Sequence, residues 1–229
     1  MKLAIHQPCY IPYIGIFYKM YEADKFVFLD DAQYSNGYVF NWNTIKVSNG
    51  TCRLRIPIKY EFGDAINQVK MINELKWCDK HLKTVYMNYH KSKYFNDFFF
   101  EYRDLLLEPY DNLSQLNTAL FITISRKFGI LRPFVLSSEM DLTSKKEQRV
   151  IDICKQCKAD VYISGHGASA YQVPEHFEKE GIELQYSKYK PIEYQQLWGD
   201  FVENMSILDY IFNNGFDWDN IVKKVKGAA

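Results

Sequence analysis

The side chains best suited to catalysis follow the first apolar run of the chain. They lie in the segment His6-Gln7-Pro8-Cys9-Tyr10-Ile11-Pro12. A histidine at the end of a strand is placed to act as a general acid or base near neutral pH. Gln7 offers an amide donor and an acceptor, and the two prolines stiffen the loop. The same residues are also explained by a histidine bonded to a backbone carbonyl, under a loop that only connects two elements.

Two acidic residues, Asp30 and Asp31, follow the second buried run. Their carboxylates are suited to binding a metal ion, to orienting His6 or to contacting a ribose hydroxyl. A solvated acidic turn would have the same sequence. No histidine or cysteine near them has the spacing that would complete a metal site, so we assign no metal ligands.

Four polar side chains come next, Gln33, Asn41, Asn43 and Lys46. Strand alternation places Asn41 and Asn43 on one face, where their amides can bond to sugar hydroxyls or to a base edge. Lys46 can meet a phosphate as a point charge. A polar face turned to solvent is an equally good interpretation of this pattern.

Aromatic and basic residues meet at the start of a predicted helix, in Trp77-Cys78-Asp79-Lys80-His81. Trp77 is suited to stacking on a sugar or base, and Lys80 with His81 to holding a phosphate. An ordinary start of a surface helix has the same composition, so this segment is a weaker candidate.

A glycine-containing turn, Ser164-Gly165-His166-Gly167, follows a predicted strand and precedes a predicted helix. Glycines there let the backbone approach a ligand, and a helix N-terminus favours an anion. The spacing is neither the dinucleotide fingerprint nor a P-loop, and it is not a nucleophile elbow. The turn is therefore a candidate phosphate or sugar-nucleotide cradle, with a tight strand-to-helix turn as the alternative.

Elements of an α/β fold must position these residues. Residues 2–7 and 26–30 are short buried runs separated by a helical pattern, which predicts a βαβ unit. Three further strands are predicted in the C-terminal half: Phe134–Leu136, Val161–Ser164 and Ile182–Tyr186. Ser144 and Glu147 form a capping-box pattern that predicts a helix reaching Lys158. In an open parallel sheet, ligands bind at the carboxyl ends of the strands, where His6, Asp30 and Gly165 would lie.

The middle of the chain has a different pattern. Asn49-Gly50 between two apolar-rich runs predicts a β-hairpin over residues 38–59. Residues 80–130 are predicted to be mostly helical. No linker or repeat is visible. We therefore expect a single α/β domain over residues 1–229, with a mostly parallel sheet, flanking helices, a β-hairpin and a helical insertion.

Composition narrows the class of protein. The chain has 229 residues, of which 47% are hydrophobic, so it is long and apolar enough to fold. Lys plus Arg equals Asp plus Glu at 28 each, which argues against a DNA-coating protein. No apolar stretch reaches the length of a membrane span, and the start is no export signal. Five cysteines, an odd number, favour a reducing cytoplasm.

These residues together resemble the WbqC-like family, and the resemblance covers nearly the whole chain. It rests on the following residues: His6-Gln7-Pro8, Tyr10, Pro12, Gly15, Asp24-Lys25-Phe26-Val27, Asp30, Gln33, Asn43-Thr44-Ile45-Lys46, Pro57, Trp77, Lys80-His81, Tyr89, Tyr94-Phe95, Tyr162-Ile163-Ser164-Gly165, Gly167, Tyr171, Ser206-Ile207-Leu208-Asp209 and Asn214-Gly215. The family is associated with bacterial surface-polysaccharide gene clusters, including the O-antigen loci of lipopolysaccharide. The resemblance therefore implies a cytoplasmic step on an amino sugar or a sugar nucleotide.

The leading hypothesis is a transferase that adds a group to the amino nitrogen of a nucleotide-linked sugar. In it, His6 takes the proton from the amine, Asp30 orients His6 or binds a sugar hydroxyl, and the turn at Gly165 holds the diphosphate with Lys46 or Lys80. Trp77 and a tyrosine stack on the base or the sugar, and Tyr10 and Tyr171 are candidate substrate-binding residues. The donor is an acyl-CoA, a carrier-bound acyl group or an aminoacyl-tRNA, and no cofactor is assigned. The alternatives are a nucleotidylyltransferase-like enzyme, although an HxGH signature is missing, and a non-catalytic sugar-nucleotide-binding or assembly factor.

Overall fold

The chain divides into two compact units. The structure, a computed structural model, describes residues 1–227, except for the side chain of Tyr171. Unit 1 consists of Met1–Gln7, Gly15–Ala32 and Ile130–Tyr189. Unit 2 consists of Pro8–Ile14, Gln33–Gly129 and Lys190–Ala229. Each unit is built from segments that are distant in the sequence.

Unit 1 contains a five-stranded parallel sheet. Its strands are β1 (Lys2–His6), β2 (Lys25–Phe28), β7 (Phe134–Leu136), β8 (Val161–Ser164) and β9 (Glu183–Tyr186). Their spatial order is β7-β2-β1-β8-β9. The chain therefore leaves β1 toward β2 on one side and returns later to β8 on the other. This is the doubly wound arrangement, and its order reverses between β1 and β8.

Helices cover this sheet because its strands are apolar on both faces, as is typical of parallel sheets. They are α1 (Ile14–Glu22), α5 (Lys146–Gln156) and the short α6 (Pro174–Glu178). A buried cluster fills the space between strands and helices, with Leu3 and Ile5 from β1, Val27 from β2, and Ile151 and Cys154 from α5. This packing holds the strands in register, so that their carboxyl ends lie along one edge of the sheet.

Unit 2 combines helices with two small antiparallel sheets. One sheet is the hairpin β3 (Trp42–Val47) and β4 (Gly50–Arg55), and the other pairs β5 (Ile58–Lys59) with β6 (Lys70–Met71). The helices are α2 (Trp77–Tyr89), α3 (Phe99–Leu107), α4 (Leu113–Lys127), α7 (Ile207–Asn214) and α8 (Trp218–Gly227). The hairpin turns at Ser48-Asn49, and Gly50 takes a φ of 125° that favours glycine.

The predicted fold class is confirmed: a parallel sheet with flanking helices, a β-hairpin and a helical segment after residue 77. The predicted capping box of Ser144 and Glu147 at the start of α5 is wrong. The helix begins at Lys146, after Lys145, which makes no side-chain cap. The Glu147 carboxylate instead accepts a hydrogen bond from the Val173 N–H at 2.7 Å and contacts the His176 ring. It therefore ties α5 to the start of α6.

Candidate functional site

The carboxyl edge of the unit 1 sheet, where all five parallel strands end, brings together part of the predicted site. His6 is the last residue of β1, and Ser164 is the last residue of β8. Because Ala4 pairs with Ile163, His6 lies level with Gly165 on the neighbouring strand. Adjacent strands are about 4.8 Å apart. His6, Gln7 and the Ser164–Gly167 turn are therefore neighbours at the point where the strand order reverses.

His6 has a defined neighbour in unit 1. The Lys19 ammonium, on the buried side of α1, lies 3.0 Å from Nδ1 of His6 and donates to the carbonyl oxygen of Ile5 at 2.8 Å. Burial, and then the charge of Lys19, hold the pKa of His6 well below its usual value. The imidazole is therefore neutral at pH 7. Since an ammonium can only donate, Nδ1 accepts and the ring proton sits on Nε2.

Asp30 lies two residues after the end of β2 and is bound to the 3-10 turn that follows β7. Its Oδ1 accepts from the Ser138 N–H at 3.0 Å and from the Ser137 hydroxyl at 3.2 Å, and its Oδ2 accepts from the Ser138 hydroxyl at 2.7 Å. Asp31 pairs with the buried Arg149 guanidinium of α5. The two carboxylates thus connect β2 with β7 and α5, and they fix the shape of this side of the carboxyl edge.

The backbone conformation of the turn does not require glycine. Gly165 has a φ of −86° and a ψ of 148°, which any residue adopts. A Cβ atom built on Gly165 or on Gly167 would have no heavy atom within 4 Å. A short 3-10 helix, His166–Tyr171, follows in place of the expected α-helix. The absence of side chains at these two positions leaves open space beside the backbone.

His166, in the same turn, is exposed, but two contacts fix the orientation of its ring. Its Nε2 lies 3.0 Å from the carbonyl oxygen of Ser187, the residue after β9. Its ring stacks on Tyr186 with centroids 5.6 Å apart and an interplanar angle of 19°. Ser187 is itself held, because its hydroxyl donates to the Glu22 carboxylate at 2.5 Å. The His166 side chain is therefore fixed from β9.

The other predicted site residues lie in unit 2. They are Tyr10, Gln33, Asn41, Asn43, Lys46, Trp77, Lys80 and His81. Gln33 and Lys80 are exposed, and the remaining six are buried or nearly so. The side chain of Tyr171, also predicted to bind substrate, lies outside the part of the chain that the structure describes.

The two asparagines, Asn41 and Asn43, make their hydrogen bonds within unit 2. Asn41 donates to the carbonyl oxygen of Ile56 at 2.8 Å and accepts from the Tyr34 hydroxyl at 3.1 Å. Asn43 donates to the carbonyl oxygens of Tyr10 and Ile11 at 3.1 and 3.0 Å. These bonds fix the loop after β1 against the hairpin. The face that carries both amides is turned inward, not to solvent.

Lys46 is also bound within unit 2. Its ammonium donates to the carbonyl oxygen of Gly199 at 3.3 Å and to that of Asp200. Nearby, the buried Asp209 carboxylate accepts from the Tyr89 hydroxyl at 2.6 Å, the Tyr194 hydroxyl at 3.0 Å and the Gln196 amide at 2.8 Å. Burial raises the pKa of Asp209 despite these donors. This arrangement gives Lys46 a structural role.

His81 belongs to a directed chain of hydrogen bonds. Its Nε2 lies 3.1 Å from the carbonyl oxygen of Arg55, so Nε2 donates and Nδ1 accepts from the Tyr10 hydroxyl at 2.9 Å. The Tyr10 hydroxyl in turn lies 2.8 Å from the Tyr102 hydroxyl. Burial lowers the pKa of His81 to about 4. Trp77 packs edge-on against the His81 ring at 5.1 Å, which leaves neither ring open for stacking on a ligand.

No group of three or more His, Cys, Asp or Glu side chains within residues 1–227 is arranged to hold a metal ion. None of the helices in that range combines the length and the apolar character needed to cross a bilayer.

The sheet and its carboxyl edge define an α/β protein with a doubly wound parallel sheet. The model of the WbqC-like protein family matches residues 7–220. The chain is also 32% identical over 218 residues to "Uncharacterized protein Rv1507c" of Mycobacterium tuberculosis (strain ATCC 25618 / H37Rv), a match that covers 93% of this chain and 94% of that protein. No solved structure gives a significant match. The chain belongs to the WbqC-like protein family.

Sequence reasoning missed three side chains that shape the carboxyl edge: Lys19, Tyr186 and Ser187. Lys19 had a usable signal, because a lysine among the apolar residues of a short helix between two buried strands needs a partner. Tyr186 and Ser187 gave none, since their contact with His166 depends on the pairing of β8 with β9. Their role arises from the tertiary structure and corresponds to no sequence motif.

Proposed function

We propose that the carboxyl edge of unit 1 binds a nucleotide-linked amino sugar and that the protein transfers an acyl group to its amino nitrogen. The proposal places the protein in the cytoplasm, in the biosynthesis of a bacterial surface polysaccharide of the O-antigen type. Membership of the WbqC-like family supports the pathway. The geometry of the edge supports the class of ligand.

One observation carries the proposal: the turn at Gly165 and Gly167 has open space and an unstrained backbone at the point where the strand order reverses. Ligands of doubly wound proteins bind in the crevice at that point. Backbone N–H groups without side chains beside them can approach a phosphate closely. We therefore assign the diphosphate of the sugar nucleotide to this turn and leave Lys46 and Lys80 out of the binding site.

His6 and Gln7 lie beside this turn and would contact the sugar. The Gln7 amide provides a hydrogen-bond donor and an acceptor. Asp30 holds Ser138 in place, and Ser138 is an exposed residue on the same edge. These hydrogen-bonding groups are complementary to the hydroxyls of the sugar and to the carbonyl oxygen of the acyl donor.

Alanine substitutions of the glycines test this assignment. Gly165→Ala and Gly167→Ala introduce a methyl group with an allowed backbone and no clash, so the free protein should stay as stable as the wild type. A methyl group forced against a bound ligand costs about 1–3 kcal/mol, so affinity should fall by about 5-fold to 150-fold. Gly37→Ala, in unit 2 and also without a neighbouring heavy atom, is the matched control.

The probes are UDP-, dTDP- and GDP-linked sugars that carry a free amino group, with the corresponding sugars without the amine for comparison. A ligand at about 100 times its Kd stabilises the fold by about 2.7 kcal/mol, which a thermal shift detects. We expect stabilisation by an amino-sugar nucleotide, lost in Gly165→Ala and kept in Gly37→Ala. Stabilisation only by ATP with Mg²⁺ would favour nucleotidyl transfer, and binding without turnover would favour an assembly factor. Either result would overturn the proposal.

A further inference from the structure

His166 offers a nitrogen lone pair at the carboxyl edge. Its Nε2 faces the carbonyl oxygen of Ser187, and a carbonyl oxygen only accepts. The proton of the neutral ring is therefore on Nε2, and the lone pair is on Nδ1. The stacked Tyr186 fixes the ring plane, and the side chain is exposed, so a ligand can reach it. Sequence reasoning had given this residue only a binding role.

His6 does not offer a nitrogen lone pair to a ligand in the same way. Lys19 occupies its Nδ1 as a donor, so the His6 ring carries its proton on Nε2. A general base must accept a proton at a lone pair, and the ring nitrogen of His6 that has one already faces an ammonium. The two histidines follow neighbouring strands, with His166 one residue beyond the position level with His6. The two histidines of the edge are thus held by different partners, His6 by Lys19 and His166 by Ser187.

We infer that His166 is the general base of the site, which rests on the proposed acyl transfer to an amino sugar. The amine lone pair forms the new N–C bond to the acyl carbon of an activated ester or thioester. The bond to the leaving group breaks and its electron pair goes with that group. The amine proton passes to Nδ1 of His166.

Ser187 and Tyr186 are positioning residues in this arrangement. They act on the reaction only through the His166 ring, whose tautomer the Ser187 carbonyl selects. A tautomer fixed by a backbone carbonyl is a common way in which proteins prepare a histidine for one role. Because the carbonyl belongs to the backbone, no side-chain substitution removes it, and the test must address His166 directly.

The first measurement is the nitrogen NMR spectrum of protein labelled at histidine, with His166→Gln and His6→Gln used for assignment. We expect His166 to carry its proton on Nε2 at pH 8, and its Nδ1 signal to shift when the amino-sugar nucleotide is added. A proton on Nδ1 of His166 overturns the inference. Binding of that nucleotide without a change at His166 also overturns it, while the proposed binding site stands.

The second measurement is turnover with acyl thioester and aminoacyl-tRNA donors. A general base contributes about 10²–10⁴-fold, so kcat of His166→Gln should fall at least 10²-fold with KM changed only a few-fold. Added imidazole should restore part of the activity of His166→Gly. Unchanged kcat in His166→Gln overturns the inference. Absence of turnover by the wild type is a separate result, since it removes the proposed function itself.

Discussion

The buried His81 of unit 2 should make the protein lose stability as the pH falls. In the unfolded chain its pKa is about 6.5, whereas in the folded protein burial lowers it to about 4. Between these values the unfolded chain binds the extra proton, so the free energy of unfolding decreases as the pH decreases. From these two pKa values, His81 alone removes about 2 kcal/mol between pH 8 and pH 5.

Substituting His81 by glutamine tests this magnitude. The Gln amide can still donate to the Arg55 carbonyl but cannot be protonated, so the pH dependence should shrink by about 2 kcal/mol. Urea unfolding followed by tryptophan fluorescence is suited to the measurement, because all four tryptophans lie in unit 2. His90→Gln, an exposed histidine just after the same helix, is the control.

The pH dependence of the free energy of unfolding is compared between the wild type and the two variants. This comparison separates the effect of His81 from that of other groups that titrate in the acid range. His6 in unit 1 acts in the same direction, because its pKa is also lowered, and it is unchanged in both variants. Equal losses of stability between pH 8 and pH 5 in the wild type and in His81→Gln would refute the reasoning. The account of burial as the cause of the pKa shift would then be wrong.

Three further substitutions test the packing of unit 2. Asp209→Asn places an amide donor against two tyrosine hydroxyls and a glutamine amide and should cost about 2–3 kcal/mol in urea unfolding. Gly215→Ala should destabilise more than Gly129→Ala in thermal unfolding, because both have a positive φ but only the first brings a Cβ to 3.0 Å from the Tyr94 ring; equal effects would contradict the contact. Ser206→Ala removes the cap of α7 and should lower the unfolding free energy by about 1 kcal/mol or more; no change would show that the cap is dispensable.

The parallel sheet was largely predictable because its strands are short apolar runs bounded by turn residues. The bounds of β7 and β8 agree with the prediction, and β1, β2 and β9 differ by one or two residues. The pair β5 and β6 was missed, since two-residue strands are too short to show alternation. The capping box failed because Glu147 found stronger partners in a distant segment, which local spacing does not reveal.

The candidate site was predictable in its location but only partly in its members. Strand ends on a parallel sheet share one edge, so the proximity of His6 and Gly165 followed from the βαβ pattern. Alternation predicted that Asn41 and Asn43 share a face, but it does not show whether that face is buried. Their burial depends on carbonyl groups from other segments of unit 2, which only the structure reveals.

The most direct test of the central claim is a map of backbone amide NMR shifts on addition of the amino-sugar nucleotide that stabilises the protein most. The account predicts that the changes concentrate at residues 6–7 and 164–167, on the carboxyl edge of unit 1. It predicts small changes at residues 41–46 and 77–81, whose side chains are largely committed to contacts within unit 2. Changes centred on those two segments of unit 2, or no changes at the Gly165 turn, would contradict it.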